Sequence, residues 1–288
     1  MSNKDLLDNI KKLRELTGVG FKDCKIALDE TKGDVEKSIE FLRKKGIAKA
    51  SKKMSRTASE GLALVKADEG KISIIEINSE TDFVAKNQEF INFCKEISDL
   101  NFKVKSDVTK LNEEKMKNGV AVKDNLVNLI AKIGEKITIR RANFFDSDQG
   151  SNFFYVHSAL GNGIGKIISV VKIEGIIKGK NDGIGTKVAM HIAASSPLAI
   201  NESDIDQNII DKELEIIKAE ILNSGKPMEM VEKISKGKIS KFLNDNSLLN
   251  QLWIMDPKKK VIDILKENSS SKELKILNFI KYKVGEGV

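Results

Sequence analysis

A general base, a zinc site or a phosphate cradle each needs particular side chains at particular spacings, and this chain offers few places to look. Its histidines are His157 and His191, and its cysteines Cys24 and Cys94. No three-ligand zinc set can be drawn from them at familiar spacing, and two cysteines make no disulfide framework; both read as small buried residues of a reducing compartment. His191 sits among Ala189, Met190, Ile192 and Ala193, the setting of a packed histidine rather than of a base. Serine–histidine catalysis needs a nucleophile on a strained elbow, and no G-x-S-x-G occurs. The run GNGIGK, Gly161–Lys166, looks like a phosphate loop, but that pattern requires glycine at 160 and serine or threonine at 167, where this chain has Leu160 and Ile167. The third glycine of a dinucleotide fingerprint would fall on Lys166. A glycine-rich hairpin turn is the better reading. With 32% of residues charged, close carboxylate pairs arise by chance. No metal, no cofactor and no covalent catalysis is expected.

What remains is INSETDFVAKN, Ile77–Asn87, where the apolar run KISIIEI gives way at once to an acid and a large aromatic. SETD has the form of a capping box, in which Ser79 accepts from the amide of Asp82 and Asp82 reaches back to the amide of Ser79. Phe83 is then core filler. The alternative is that Asp82 and Phe83 are displayed to a partner. The residues by themselves favour the first, and leave the second open.

The chain has 288 residues, 40% of them hydrophobic, enough for two or three modest domains. Its formal charge of +7 invites a nucleic-acid reading. Almost all of that charge is lysine, however, with arginine confined to Arg14, Arg43, Arg56, Arg140 and Arg141. Arginine reads bases and phosphates bidentately, and aromatics for stacking are scarce at 5%. Nucleic acid is not the expected partner. No run approaches a membrane span, and the start, MSNKDLLDNIKKLREL, lacks both a signal peptide's apolar centre and the arginine-rich character of a transit peptide, so a soluble cytoplasmic protein is expected.

These candidates must be held by elements that the periodicity locates. Residues 1–46 read as three short helices: Leu6, Ile10 and Leu13 share one face, Phe21, Cys24 and Leu28 another, and Asp34 caps a third carrying Val35, Ile39 and Leu42. Residues 47–60 look like a flexible basic linker. From 61 to 145 the pattern predicts a hairpin (LALVKA, KISIIEI), a helix through Phe90, Phe93, Cys94, Ile97 and Leu100, a second through Val122, Leu126, Leu129 and Ile133 closed by Gly134, and a third strand, KITIRRANFF. Residues 146–288 repeat that order with the hairpin NFFYVHS/KIISVVKIEG, the helix GTKVAMHIAAS stopped by Pro197, and the late strand KILNFIKYKV. An antiparallel helical hairpin is inserted at 205–246, with Ile210, Leu214, Ile217 and Ile221 on one arm, the turn NSGKP, and Val231, Ile234 and Phe242 on the other. A C-terminal helix and strand occupy 257–285, with Trp253 as packing and Lys258–Lys260 as a solvated helix start. The fold class is α+β: a three-helix bundle, then a duplicated core of two hairpin–helix–strand units carrying a coiled-coil hairpin.

LRELTGVGFKDCKIALDETKGDVEKSIEFLRKKG resembles the N-terminal domain of the elongation factor Ts family, a unit similar to ubiquitin-associated domains. TDFVAKN resembles that family's most specific motif, and IAKIGEKITIRR, VAMHIAASSP, SGKP and FIKYKVGEG resemble its later landmarks in the same order. The resemblance spans nearly the whole chain. It implies a guanine-nucleotide exchange factor for elongation factor Tu, binding that partner in its GDP-bound and nucleotide-free forms and catalysing no covalent chemistry. It further implies that Thr81, Asp82, Phe83 and Val84 meet the partner's GTPase domain near its magnesium site and between its helices. Lys25 of the bundle, Ile133 with Gly134, His191, and Ile254 with Met255 match further contact positions, and the helical arm contacts the partner too. Two such complexes associating as a dimer of heterodimers remains open. Family members often carry a shorter, basic turn where this chain has SALGNGIGK. The rival readings are a ribosome-associated RNA binder, whose affinity would fall steeply with salt, and an enzyme with a closed pocket of shifted carboxylates.

Overall fold

The run KISIIEI is apolar on both alternating faces, so a strand built from it must be covered from both sides. In the computed structural model, which describes residues 3–17, 19–181, 183–224 and 228–288, it is. The order is α1 (Asn3–Thr17), α2 (Phe21–Glu30), α3 (Val35–Lys53), β1 (Glu60–Asp68), β2 (Lys71–Ser79), α4 (Asp82–Ala85), α5 (Gln88–Lys103), α6 (Val108–Glu113), α7 (Val122–Ile133) and β3 (Ile137–Phe145). There follow β4 (Ser151–His157), β5 (Ile164–Gly165), β6 (Ile167–Glu174), α8 (Gly183–Ser195), a turn of 3-10 helix (Glu202–Asp204), α9 (Gln207–Asn223), α10 (Met228–Asn246), β7 (Leu252–Trp253), β8 (Asp256–Lys260), α11 (Val261–Asn268) and β9 (Lys275–Lys283).

Two antiparallel sheets, ordered β3-β2-β1-β5 and β4-β6-β9, carry the core. Leu62, Leu64, Ile75 and Ile77 face α5 and α7 through Phe90, Cys94, Ile97 and Leu129. The alternate residues, Ala63, Val65, Ile72 and Ile74, face Ile168, Val170 and Tyr282 of the second sheet. Val171 and Ile173 then face α8 and α11. The result is helix, sheet, sheet, helix, and it is α+β as expected.

The two units share more than order. In each, the third strand pairs antiparallel with the second strand of the hairpin. Each third strand also bulges near the same place, by Arg140 opposite the Glu76/Ile77 step and by Leu277 opposite the Lys172/Ile173 step. The glycine-rich run joins the units. Ile164 and Gly165 add a fourth strand to the first sheet, and Gly163, at φ 71°, lies where a Cβ would stand 2.5 Å from the Val65 carbonyl oxygen. Lys166 is bonded to Glu60 at 2.6 Å. Backbone and lysine are thus committed to packing rather than to a phosphate.

Several local expectations change. Helix α3 runs on to Lys53, so residues 47–53 are not a flexible linker. Alanine and lysine favour helix, and the small residues that looked featureless let α3 approach α7: Gly46 faces Ala131 and Ala50 is buried in the first core. Phe21 opens α2 with 47% of its surface exposed, while Ile10, Leu13, Cys24, Ala27, Leu28 and Leu42 form the bundle core. Lys258–Lys260 lie in β8 rather than in a helix start; Lys260 caps α11. Helices α9 and α10 pack on one another through Ile217, Ile221, Val231, Ile234 and Ile239. Gly225, Lys226 and Pro227 of the expected turn lie outside the described residues.

Candidate partner-binding site

Strand β2 ends at Ser79 and α4 starts at Asp82, so everything at the TDF corner depends on how three residues of backbone turn. The capping box does not form. The Ser79 hydroxyl donates to the Thr81 carbonyl at 3.0 Å, and Asp82 Oδ2 accepts from Lys86 Nζ at 2.7 Å. The N-cap is Thr81, in extended conformation, and its polar groups are taken elsewhere: its N–H donates to Glu135 Oε2 at 3.0 Å and its hydroxyl to Glu135 Oε1 at 2.8 Å. Both side chains of the expected box thus go to other near neighbours, and a residue 54 positions away holds Thr81.

The four residues of α4 then divide by face, since successive side chains on a helix point about 100° apart. Val84 (6% exposed) and Ala85 (1%) enter the first core, and Phe83 is 80% exposed. Phe83 is therefore not core filler. Asp82 is half-exposed beside it. The hydrogen bond from Lys86, with the charges of Lys86 and Lys166, holds its carboxyl below the usual aspartate range against the opposing effect of burial.

Glu135 follows Gly134, the left-handed residue (φ 86°) that ends α7. Ile133 packs against the first core, and Gly134 turns the chain so that Glu135 meets Thr81. On the opposite corner Glu80 accepts from the Lys136 N–H at 2.5 Å and from Arg56 Nη1 at 3.2 and 3.4 Å. Burial pushes Glu80 upward, but the Lys136 amide and Arg56 outweigh it, and its carboxyl stays below the ordinary value. Thr81–Val84 and Ile133–Gly134 are thus brought together. The sequence reading missed Glu80, Glu135 and Arg56; the acid directly after a helix-ending glycine in KIGEK was the available signal.

His191, Ile254 and Met255 form a second group. His191 is fully buried. It stacks on Trp253 with ring centroids 5.2 Å apart, shares a 3.0 Å hydrogen bond between Nε2 and Gln251 Oε1, and accepts the Ile254 N–H on Nδ1 at 3.4 Å. Gln251 in turn donates to the carbonyls of Ser195 and Asp245. His191 therefore shapes the β7–β8 turn from beneath, and Ile254 and Met255, 38% and 45% exposed, form its surface. Trp253 is packing, as expected. Lys25 is exposed on α2.

Burial lowers the pKa of His191, more than the Gln251 bond raises it. A neutral native imidazole stabilises the fold fully above the ordinary value of 6.5, and that contribution is lost as pH falls below it towards the lowered native value. The urea midpoint should therefore drop between about pH 7.5 and about pH 5.5, and the drop should shrink in His191→Gln. An equal drop in the variant would show that other groups cause it.

Among the described residues no cluster of histidine, cysteine and carboxylate could hold a metal, and no helix is long and apolar enough to cross a membrane. The geometry is that of a surface that displays side chains.

The family model for elongation factor TS matches residues 80–286, starting at the corner that carries Asp82 and Phe83. The chain belongs to the elongation factor Ts family. Elongation factor Ts of Rickettsia felis is 39% identical over 283 residues, which cover 97% of this chain and 91% of that protein. The protein of the same name from Rickettsia bellii is 38% identical over 284 residues (97% and 92%), and that from Rhizorhabdus wittichii 38% over 282 (97% and 92%). Membership places the chain among translation elongation factors.

Proposed function

We propose that the chain is a guanine-nucleotide exchange factor for elongation factor Tu. It binds the GDP-bound partner, speeds GDP release so that GTP can rebind, and makes or breaks no covalent bond. The observation that carries this reading is Phe83: a large aromatic, 80% exposed, on a corner tied down on both sides, within the family's motif. An exposed phenylalanine held in one direction is suited to insertion between partner helices. Its burial there is worth roughly 1.5–3 kcal/mol, energy that can hold the nucleotide site distorted. Exchange requires a transient complex of all three components, and by linkage the factor by which this chain weakens GDP binding is the factor by which GDP weakens its own.

Asp82 has two candidate roles beside that wedge. It can act on the partner's magnesium ligands, leaving Lys86 on binding, or it can orient α4 through the Lys86 bridge. The exposed Ile254–Met255 turn, Lys25 on a bundle of ubiquitin-associated type, and the α9–α10 pair as a coiled-coil arm extend the contact. The units 61–145 and 146–288 serve as two subdomains of one binding body, in the cytoplasm.

The test is release of fluorescent GDP from elongation factor Tu with and without the chain at substoichiometric concentration. Acceleration that turns over supports the proposal; none, with a folded chain and active partner, overturns it.

A further inference from the structure

We propose that Glu135 and Glu80 are positioning residues for Phe83, forming a reciprocal clasp between the β2–α4 and α7–β3 corners that fixes the direction in which the phenyl ring projects. The inference deepens the exchange reading and rests on it. Each glutamate binds backbone of the other corner: Glu135 holds the Thr81 N–H at 3.0 Å and its hydroxyl at 2.8 Å, and Glu80 holds the Lys136 N–H at 2.5 Å. The corners lie side by side because β2 and β3 pair with Ser79 opposite Ile137.

The end of α3 buttresses the clasp. Arg56 reaches both oxygens of Glu80, its own carbonyl accepts Lys136 Nζ at 2.8 Å, and Lys53 Nζ donates to the Gly134 carbonyl.

Helix α4 cannot orient itself. It has four residues and no side-chain N-cap bond, far below the length at which a helix is stable in water. Val84 and Ala85 anchor it in the core on one side, and the clasp anchors Thr81 on the other, with Asp82 and Phe83 between. Without the clasp the corner rotates about its core anchor. The energy of burying Phe83 in a partner would then go into ordering the corner instead of straining the nucleotide site. The maximal exchange rate should fall, while affinity, spread over the rest of the surface, should fall little.

The experiment measures GDP release from elongation factor Tu against concentration of the full chain, for wild type, Glu135→Ala, Glu135→Gln and Phe83→Ala, with amide hydrogen exchange on each. Glu135→Ala is expected to lower the maximal rate about tenfold, as displacement of a positioned group does, with the half-saturating concentration moving less than about threefold. Amide exchange should quicken at residues 81–83 and stay unchanged in β1. Glu135→Gln keeps an acceptor for the Thr81 N–H and should recover most of the rate. Should Glu135→Ala not fold, Thr81→Val, which removes only the hydroxyl bond, must lower the maximal rate in the same sense.

A wild-type maximal rate in folded Glu135→Ala, unchanged protection at Thr81, or a shift in half-saturation alone overturns the clasp. If the wild-type chain does not accelerate release, the exchange reading fails, and if Phe83→Ala matches wild type, the wedge fails; in either case the amide protection at Thr81 still reports on the clasp separately.

Discussion

Phe83→Ala is expected to slow GDP release from elongation factor Tu by roughly tenfold to a hundredfold at fixed concentration, without lowering the melting temperature. The first half follows from the roughly 1.5–3 kcal/mol that a phenylalanine gains on burial, at about 1.4 kcal/mol per factor of ten in rate. The second follows from exposure: at 80% the ring contributes almost nothing to the fold of the free chain, so its removal leaves no cavity. That combination separates this residue from its neighbour Val84, whose truncation would damage the core and slow exchange through unfolding. Stopped-flow release of fluorescent GDP and a thermal melt check the two halves. Unchanged release would exclude a wedge. Asp82→Asn belongs in the same series: full activity would exclude direct action of the charge on the metal site, since asparagine retains an acceptor for Lys86.

The largest effect on stability is expected from Glu76→Ala. Glu76 is a glutamate with no exposed surface, on the face of β2 that meets the second sheet. Its Oε1 accepts from Asn78 at 3.0 Å, Arg140 Nη1 at 2.9 Å and the Gly285 N–H at 3.0 Å, and Oε2 from Arg141 Nε at 2.5 Å. The two arginines continue to the carbonyls of Glu286 and Lys283, and Arg141 lies over the Tyr282 ring at 4.3 Å. One carboxylate therefore fastens the first sheet to the chain's last strand. Burial also pushes the Tyr282 hydroxyl up to about 12, so it stays un-ionised beside the pair.

Removing one member of a buried ion pair costs about 3–5 kcal/mol, because the remaining charges are left uncompensated. Glu76→Ala should show this as a large fall in the urea midpoint. Burial pushes Glu76 upward, but the Gly285 amide, Arg141, Asn78 and Arg140 together outweigh it, so its native pKa lies below the ordinary 4.5. Its contribution is thus complete above about pH 4.5 and is lost as pH falls through the lowered native value. Acid unfolding of Glu76→Ala should begin from a lower, flatter plateau.

Much of this was legible in the residues because it is local. A period of two in LALVKA and KISIIEI announces strands, a period near 3.6 in Phe90–Leu100 announces a helix, and an apolar run on both faces announces a strand covered twice. The TDF motif and its ordered companions named the family, and with it the expected site residues. The errors arose where side chains had partners that the local pattern does not reveal. SETD has the form of a capping box, yet the Ser79 hydroxyl bonds the Thr81 carbonyl, Asp82 bonds Lys86, and Glu135 holds the Thr81 amide and hydroxyl. Residues 47–53 lacked large apolar groups and looked unstructured, yet small residues were what close packing on α7 needed.

By itself, then, the sequence determined most of the elements, their duplicated order and the family, since each is written in spacing between near neighbours. Whether Phe83 would be core or exposed, and whether His191 would reach the surface or lie beneath the Ile254–Met255 turn, was decided only by the tertiary structure. Burial is a property of what lies across the fold: Phe83 stands out because Val84 and Ala85 take the core positions and two glutamates hold the corner, and His191 is sealed because Trp253 and Gln251 close over it.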